Sequence, residues 1–330
     1  MQPSGIPSKE NTVKYNNKAI KLGTIATISF LGALGLSACA TPAGNGAEGD
    51  GAVKIGVTVA NSTNPFFQQE SKTAESYGKE LGAEVLSQVA NEDVQTQSNQ
   101  IDQFITSGVS FIVIDAADTD GVGPAVKRAI AAGIPVIGVD NQSKNATVNI
   151  TTDNTQAGEI SCKSLAEQLG GKGKIAILNG TPVSAVDDRV AGCKTTLADY
   201  PDIEIVADQR GENSRDAALP IATDILTANP DLDGFFAIND PSAVGVELAA
   251  KQKGISIIIT SVDGASTATD VIAAGGLITA TSAQDPAALV RQAIDLGMEI
   301  LDGKEPKEKL VLVPTELVDA SNVADYTPWG

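Results

Sequence analysis

A chain of 330 residues with 42% hydrophobic and 19% charged side chains is long enough to build two cores. Its net charge of −18 repels phosphate backbones, so nucleic acid is not an expected partner. With three cysteines and no histidine, Cys/His zinc sites and histidine-based catalytic arrangements are excluded, and neither metal nor cofactor is expected.

The first fifty residues carry processing signals. Lys9, Lys14, Lys18 and Lys21 form a basic region, Leu22 to Leu36 is almost wholly apolar or small, and Leu36-Ser37-Ala38-Cys39 follows. An apolar stretch this short suits an export signal over residues 1–38 better than a permanent span, which needs about 20 residues. Compact residues before Cys39 fit a peptidase pocket that admits only small side chains. Residues 39–52, rich in Gly, Ala, Thr and Pro, read as a flexible tether. Cleavage before Cys39 removes four lysines and one glutamate from 23 basic and 41 acidic residues, leaving 19 and 40 and a net charge of −21. The remaining cysteines, Cys162 and Cys193, fall in helical patterns flanking one strand; outside the cytoplasm they form either a disulfide or two buried thiols.

From Val53 onward, apolar runs of strand length alternate with amphipathic helices. Val53 to Val59 reads as a strand, and Pro65 to Leu81 as a helix with proline in its first turn. A short strand, Glu84 to Ser87, precedes Val94, Gln97, Ile101, Phe104 and Ile105 at helical spacing, with Gly108 as the stop. Next come a strand at Phe111 to Asp115, a helix near Val122 to Ala132, and a strand at Pro135 to Val139 running into Asp140-Asn141. The first lobe is read as complete near residue 150.

The pattern then repeats. A helix from Asn154 to about Leu169 leads to a strand at Lys174 to Leu178, a helix at Ser184 to Leu197, a strand at Ile203 to Ala207 and a helix near Arg215 to Thr227. Strands at Gly234 to Ile238 and Ser256 to Val262 flank a helix ending near Lys251. Leu277 to Thr281, a helix from Pro286 to Leu301 and a strand at Leu310 to Val313 are assigned to crossings between lobes. Such alternation implies right-handed crossovers and parallel sheets buried on both faces. Gly170 to Lys174 precedes a strand and lacks phosphate-loop spacing, and Asn229 to Gly234 lacks the terminal glutamate of a calcium loop, so both read as turns.

Polar and aromatic residues gather just past strand ends: Asn64, Phe66, Phe67, Asp140, Asn141, Arg189, Asn239, Asp263 and Gln284. Carboxylates and amides accept from hydroxyls, arginine donates to them, and an aromatic face covers the C–H surface of a sugar ring. The set matches a polyhydroxylated neutral ligand. Singly, Asp140, Asn239 and Asp263 also suit helix caps or turns, Phe66 and Phe67 suit a core, and Arg189 suits a surface ion pair.

Together, Asn64-Pro65-Phe66-Phe67, Asp118-Thr119-Asp120, Asp188-Arg189, Phe236-Ala237-Ile238-Asn239-Asp240, Val262-Asp263-Gly264 and Ala283-Gln284-Asp285-Pro286 resemble the type I periplasmic sugar-binding proteins of ABC importers, in particular their ribose-binding branch. Leu36 to Cys39 likewise resembles the bacterial lipobox, in which the cysteine becomes the lipidated first residue. The resemblance implies an α/β fold of two Rossmann-like lobes joined by a three-strand hinge. Residues 53–153 plus 285–313 would form the N-terminal lobe and 154–284 plus 314–330 the C-terminal lobe, with crossings near Asp153-Asn154, Gln284-Asp285 and Val313-Pro314.

It implies a monomeric, lipid-anchored binding protein on the outer face of the cell membrane. The protein would take a monosaccharide or polyol to ABC permease subunits without acting as an enzyme; a sugar sensor is the alternative. Carried over by position, the contacts are Asn64, Phe66, Phe67, Asp140, Arg189, Asn239, Asp263 and Gln284. Two positions depart. Asn141 stands where the ribose branch has a second arginine, and Asn213 where it has a second-lobe aromatic, so ribose does not carry over and the phenylalanines are the expected ring platform.

Overall fold

The computed structural model describes residues 52–330; the signal segment, Cys39 and nearly all of the tether lie outside them. The described chain opens with β1 (Lys54–Val59), α1 (Pro65–Glu80), β2 (Glu84–Val89), α2 (Val94–Ser107), β3 (Phe111–Ile114), α3 (Gly123–Ala131), β4 (Val136–Val139) and β5 (Val148–Thr152). It continues through α4 (Asn154–Gln168), β6 (Lys172–Asn179), α5 (Ser184–Leu197), β7 (Asp202–Arg210), α6 (Arg215–Ala228), β8 (Gly234–Ala237), α7 (Asp240–Lys253), β9 (Ile258–Asp263), α8 (Ser266–Ala273) and β10 (Ile278–Ala283). It closes with α9 (Pro286–Leu301), β11 (Leu310–Val313) and β12 (Glu316–Asp319).

Local chemistry sets these limits. Asn64 Oδ1 accepts from Phe66 N at 2.9 Å while Pro65 takes the first turn of α1, where a missing N–H costs nothing. Asp93 caps α2 through Thr96 N at 2.6 Å, and Gly108 ends that helix in the left-handed region at φ 63°.

The strands form two six-stranded sheets, β11-β5-β4-β3-β1-β2 and β12-β10-β9-β8-β6-β7, parallel throughout except for β12, which runs antiparallel to β10. Successive side chains of a strand serve opposite faces. Phe111 and Val113 therefore join the core under α1 and α9, while Ile112 and Ile114 join the core under α2 and α3. In the second sheet Phe235 and Ala237 face α6, α7 and α8, and Phe236 faces α4 and α5. Both faces being covered explains why these strands read as continuous apolar runs rather than alternating ones.

The chain passes between sheets three times: from β5 into α4, from β10 into α9, and from β11 to β12. Four elements differ from the sequence reading. β5 follows β4 in parallel after only a turn-rich segment, residues 140–147, so no helical pattern announces it. Helix α8 and strand β12 are a short helix and a four-residue strand next to turns, too brief for periodicity to register. β10 is a sheet strand rather than simply a crossing segment.

Helices α4 and α5 meet at backbone distance. A Cβ added at Gly158 would lie 1.9 Å from Arg189 O, and one at Gly192 would lie 2.1 Å from Thr155 O. Cys162 and Cys193 are disulfide-bonded across the same pair, with Cα atoms 5.1 Å apart. Alanine at position 192 gains about 1 kcal/mol of helix propensity but forces the helices apart, an overpacking cost of about 1–3 kcal/mol or more. Gly192→Ala is therefore expected to lower the urea midpoint of unfolding; an unchanged or raised midpoint would show that the helices separate freely.

Candidate ligand cleft

In a parallel sheet the strand order reverses where neighbouring crossovers leave in opposite directions, opening a crevice beyond the strand C-termini. Here those points lie between β1 and β3 in one sheet and between β6 and β8 in the other. Around the cleft between the lobes, Asn64, Phe66, Phe67, Asp140, Asn141, Arg189, Asn213, Asn239, Asp263 and Gln284 surround one small cavity of about 30 Å³, together with Val183, Ala185, Val186 and Ile238. All ten sequence candidates thus meet at one place.

Their hydrogen bonds divide them. Asn239 is consumed by the protein: Oδ1 accepts from Ser242 N at 3.0 Å, capping α7, and Nδ2 donates to Asn213 O at 3.0 Å. Asn213 is likewise occupied, accepting from Thr181 N at 3.0 Å and donating to Thr181 Oγ1 at 2.8 Å. Asn64 caps α1 through Oδ1. Arg189 Nε donates to Asn154 Oδ1 and Nη1 to Ile238 O, both at 2.8 Å, and Nη1 lies 3.7 Å from Asp263 Oδ1. Asp263 Oδ1 also accepts from Gln284 Nε2 at 2.7 Å. Asp140 Oδ1, Asn141 Oδ1 and Gln284 Oε1 are buried without a partner.

Asp140, just past β4, and Asp263, the last residue of β9, hold positive φ values of 54° and 140°. For a residue other than glycine this conformation costs on the order of 1–3 kcal/mol and persists only where its surroundings enforce it. The two lobes also touch directly. Ser184 N, in the first turn of a helix whose cap residue Val183 gives no side-chain bond, donates to Thr119 Oγ1 at 3.1 Å, and Gln142 N donates to Ser184 Oγ at 2.8 Å. The start of α5 in one lobe is capped from the other.

Behind the lining lies a second tier of acids. Asp240 accepts from Ser261 Oγ at 2.5 Å, Thr281 Oγ1 at 2.7 Å and Ala265 N at 2.8 Å. Asn141 Nδ2 donates to Asp115 Oδ1 at 2.8 Å. Glu70 is fully buried near Asp115; burial, then the carboxyls of Asp115 and Asp140, raise its pKa well above the usual range. Burial also pushes Asp140 up to about 6 against the pull of Arg189, and Asp263 up to about 8, with the Asp240 charge adding and Arg189 opposing.

The periplasmic binding protein domain model matches residues 55–305. The chain belongs to this family. A xylitol-binding protein of Mycolicibacterium smegmatis is 31% identical over 315 residues, spanning 93% of this chain and 88% of that one. A ribose import binding protein of Bacillus subtilis is 30% identical over 266 residues, spanning 80% and 86%. A solute-binding protein of an ABC transporter from Mycobacterium smegmatis, solved with glycerol bound, superposes with a TM-score of 0.80 at 32% identity and covers 83% of this chain and 96% of that one. The family is one of substrate-binding proteins rather than enzymes.

Sequence reasoning missed several neighbours of the cleft. Asn154 and Asp240 were visible only as motif companions. Glu70 sits in the polar run Gln68-Gln69-Glu70-Ser71, which reads as solvent-facing. Trp329, second to last in the chain, gave no signal beyond being the single tryptophan. Its ring packs edge-on against Phe66 at 5.5 Å between centroids, and its Nε1 donates to Asp263 O at 3.0 Å and Gln284 O at 2.8 Å. A third aromatic is therefore present, backing Phe66 rather than facing it across the cavity.

The raised carboxyls fix a pH dependence. The unfolded chain releases these protons near pH 4, whereas the folded, ligand-free protein holds them to about 6 at Asp140 and about 8 at Asp263. Where the folded state binds more protons, stability falls as pH rises. The ligand-free protein should therefore melt at a higher temperature at pH 5.5 than at pH 8.5, and Asp263→Asn should flatten that slope. An identical slope in the variant would show that Asp263 is ionised in the closed cleft throughout.

Proposed function

We propose that this protein captures a monosaccharide or related polyol outside the cell and presents it to the permease of an ABC importer. The carrying observation is convergence. Strand-end residues from both lobes, none of them a nucleophile with a base, enclose one polar cavity roofed by Phe66 and Phe67. Relatives named for xylitol, ribose and D-apiose, and solved relatives holding glycerol or D-allose, support the same ligand class.

The mechanism follows from the division of the site. Phe66, Asp140 and Asn141 belong to the first lobe and Arg189, Asn239 and Asp263 to the second, with Gln284 at a crossing. A ligand touching both sets binds the closed form better than the open one, so binding shifts the hinge toward closure. Selectivity arises because a buried acceptor left unpaired costs about 1–3 kcal/mol. Asn213 and Asn239, whose amides serve the protein, act in this reading as shaped wall rather than as donors. The protein works as a monomer, and lipidated Cys39 with the 39–52 tether holds it at the outer face of the cell membrane near its permease.

A thermal-shift and calorimetric panel of pentoses, hexoses and polyols should yield at least one binder, and a panel without any would overturn the reading. Phe66→Ala should weaken that binder about tenfold or more, the ~1.5 kcal/mol scale of a buried aromatic face. Normal affinity in the variant would reduce the segment after β1 to a helix start. Cys39→Ala should move the expressed protein from the membrane fraction to the soluble fraction. Retention in the membrane fraction would remove the lipid anchor from the account.

A further inference from the structure

The cavity is short of positive charge. Arg189 is the single cation lining it, against the carboxyls of Asp140 and Asp263. Its Nε and Nη1 already serve Asn154 and Ile238, and its nearest carboxylate is Asp263 rather than Asp140. Asp140 has no ion-pair partner within 4.0 Å among the described residues. The tier behind adds Asp240, Asp115 and Glu70, all fully buried and none with an ion-pair partner among the described residues.

The fully buried side-chain atoms at the lining that lack a partner point the same way. Asp140 Oδ1, Asn141 Oδ1 and Gln284 Oε1 are all acceptors, on residues exposed by 5%, 4% and 6%. Asn141 is held in that orientation because its Nδ2 donates to Asp115. A neutral polyol offers one proton per hydroxyl and leaves the Asp140 carboxyl without a counter-charge, in a medium where an unpaired charge is costly. An ammonium group offers three donors and cancels one charge.

We propose that the ligand of this cleft is aminated: a sugar or cyclic polyol carrying one protonated amine, seated against Asp140, with its hydroxyls meeting the remaining acceptors. This deepens the sugar-or-polyol reading above and rests on it. The raised pKa of Asp140 in the ligand-free cavity fits, since a cation beside it restores the ionised form that burial disfavours. Asn141 is the position that leaves the amine its place, because an arginine there would supply the missing cation from the protein.

Calorimetry at pH 7 tests this with paired probes: glucosamine, galactosamine, mannosamine and an inosamine against glucose, galactose, mannose and myo-inositol. At least one amine should bind ten-fold or more tightly than its parent, and its N-acetyl derivative, which keeps the nitrogen and loses the charge, should lose that gain. Asn141→Arg, shown folded by its circular dichroism, should cut the amine-to-parent ratio at least ten-fold. A parent binding as tightly as its amine, or a ratio unmoved by Asn141→Arg, overturns the proposal while leaving the sugar-binding reading intact. Absence of binding in both series, and in the broader panel above, overturns that reading and this inference together.

Discussion

The cleft is organised by Arg189, the only buried cation among the described residues. From one helix it ties Asn154, where the chain crosses between sheets, to the carbonyl of Ile238 at the end of a strand and approaches the carboxyl of Asp263. A buried guanidinium without these partners would cost several kcal/mol, so the contacts are mutually obligatory. Gly158 lets the neighbouring helix approach the backbone of Arg189 itself. Helix packing, hinge and ligand wall are thereby one mechanical unit. Around this single cation the interior gathers more carboxyls than it can neutralise, and the titration behaviour and the inferred ligand charge both follow from that imbalance.

Much of this was legible in the sequence because it rests on local rules. Strand-length apolar runs fixed the sheets, and Asn64 and Asn239 were visible as cap-forming residues after strands. The elements that escaped lack such signals: β5 has no helix before it, and α8 and β12 are short. Of the cleft residues, those in the wall could be read from their positions past strand ends. Those behind it could not. Glu70 is buried beside the carboxyls of Asp115 and Asp140, a fact of tertiary approach that no window of sequence contains. The same limit applied to polar economy: that Asn213 and Asn239 spend their amides on the protein, leaving Asp140, Asn141 and Gln284 with free acceptors, emerges only from hydrogen-bond geometry.

Strain and closure are connected. The two facing carboxyls sit on backbone that resists left-handed geometry, at Asp140 and Asp263, one in each lobe. Such conformations aim the side chains and also raise the energy of the empty site. Contacts between lobes away from the cavity, such as Thr119 capping the start of α5, offset part of that cost when the lobes meet. Closure therefore draws on fixed protein contacts as well as on the ligand, so a small molecule need supply only part of the free energy that brings the lobes together.

Trp329 carries a consequence of a different kind. It is the sole tryptophan, anchored through its indole N–H to carbonyls at Asp263 and Gln284, yet its ring rests on Phe66 of the opposite lobe. Any opening of the hinge that parts these rings moves the indole from an apolar, hydrogen-bonded seat toward water. The protein thus contains its own optical gauge, one chromophore whose emission reports the state of the cleft without a label and without a background from any other indole.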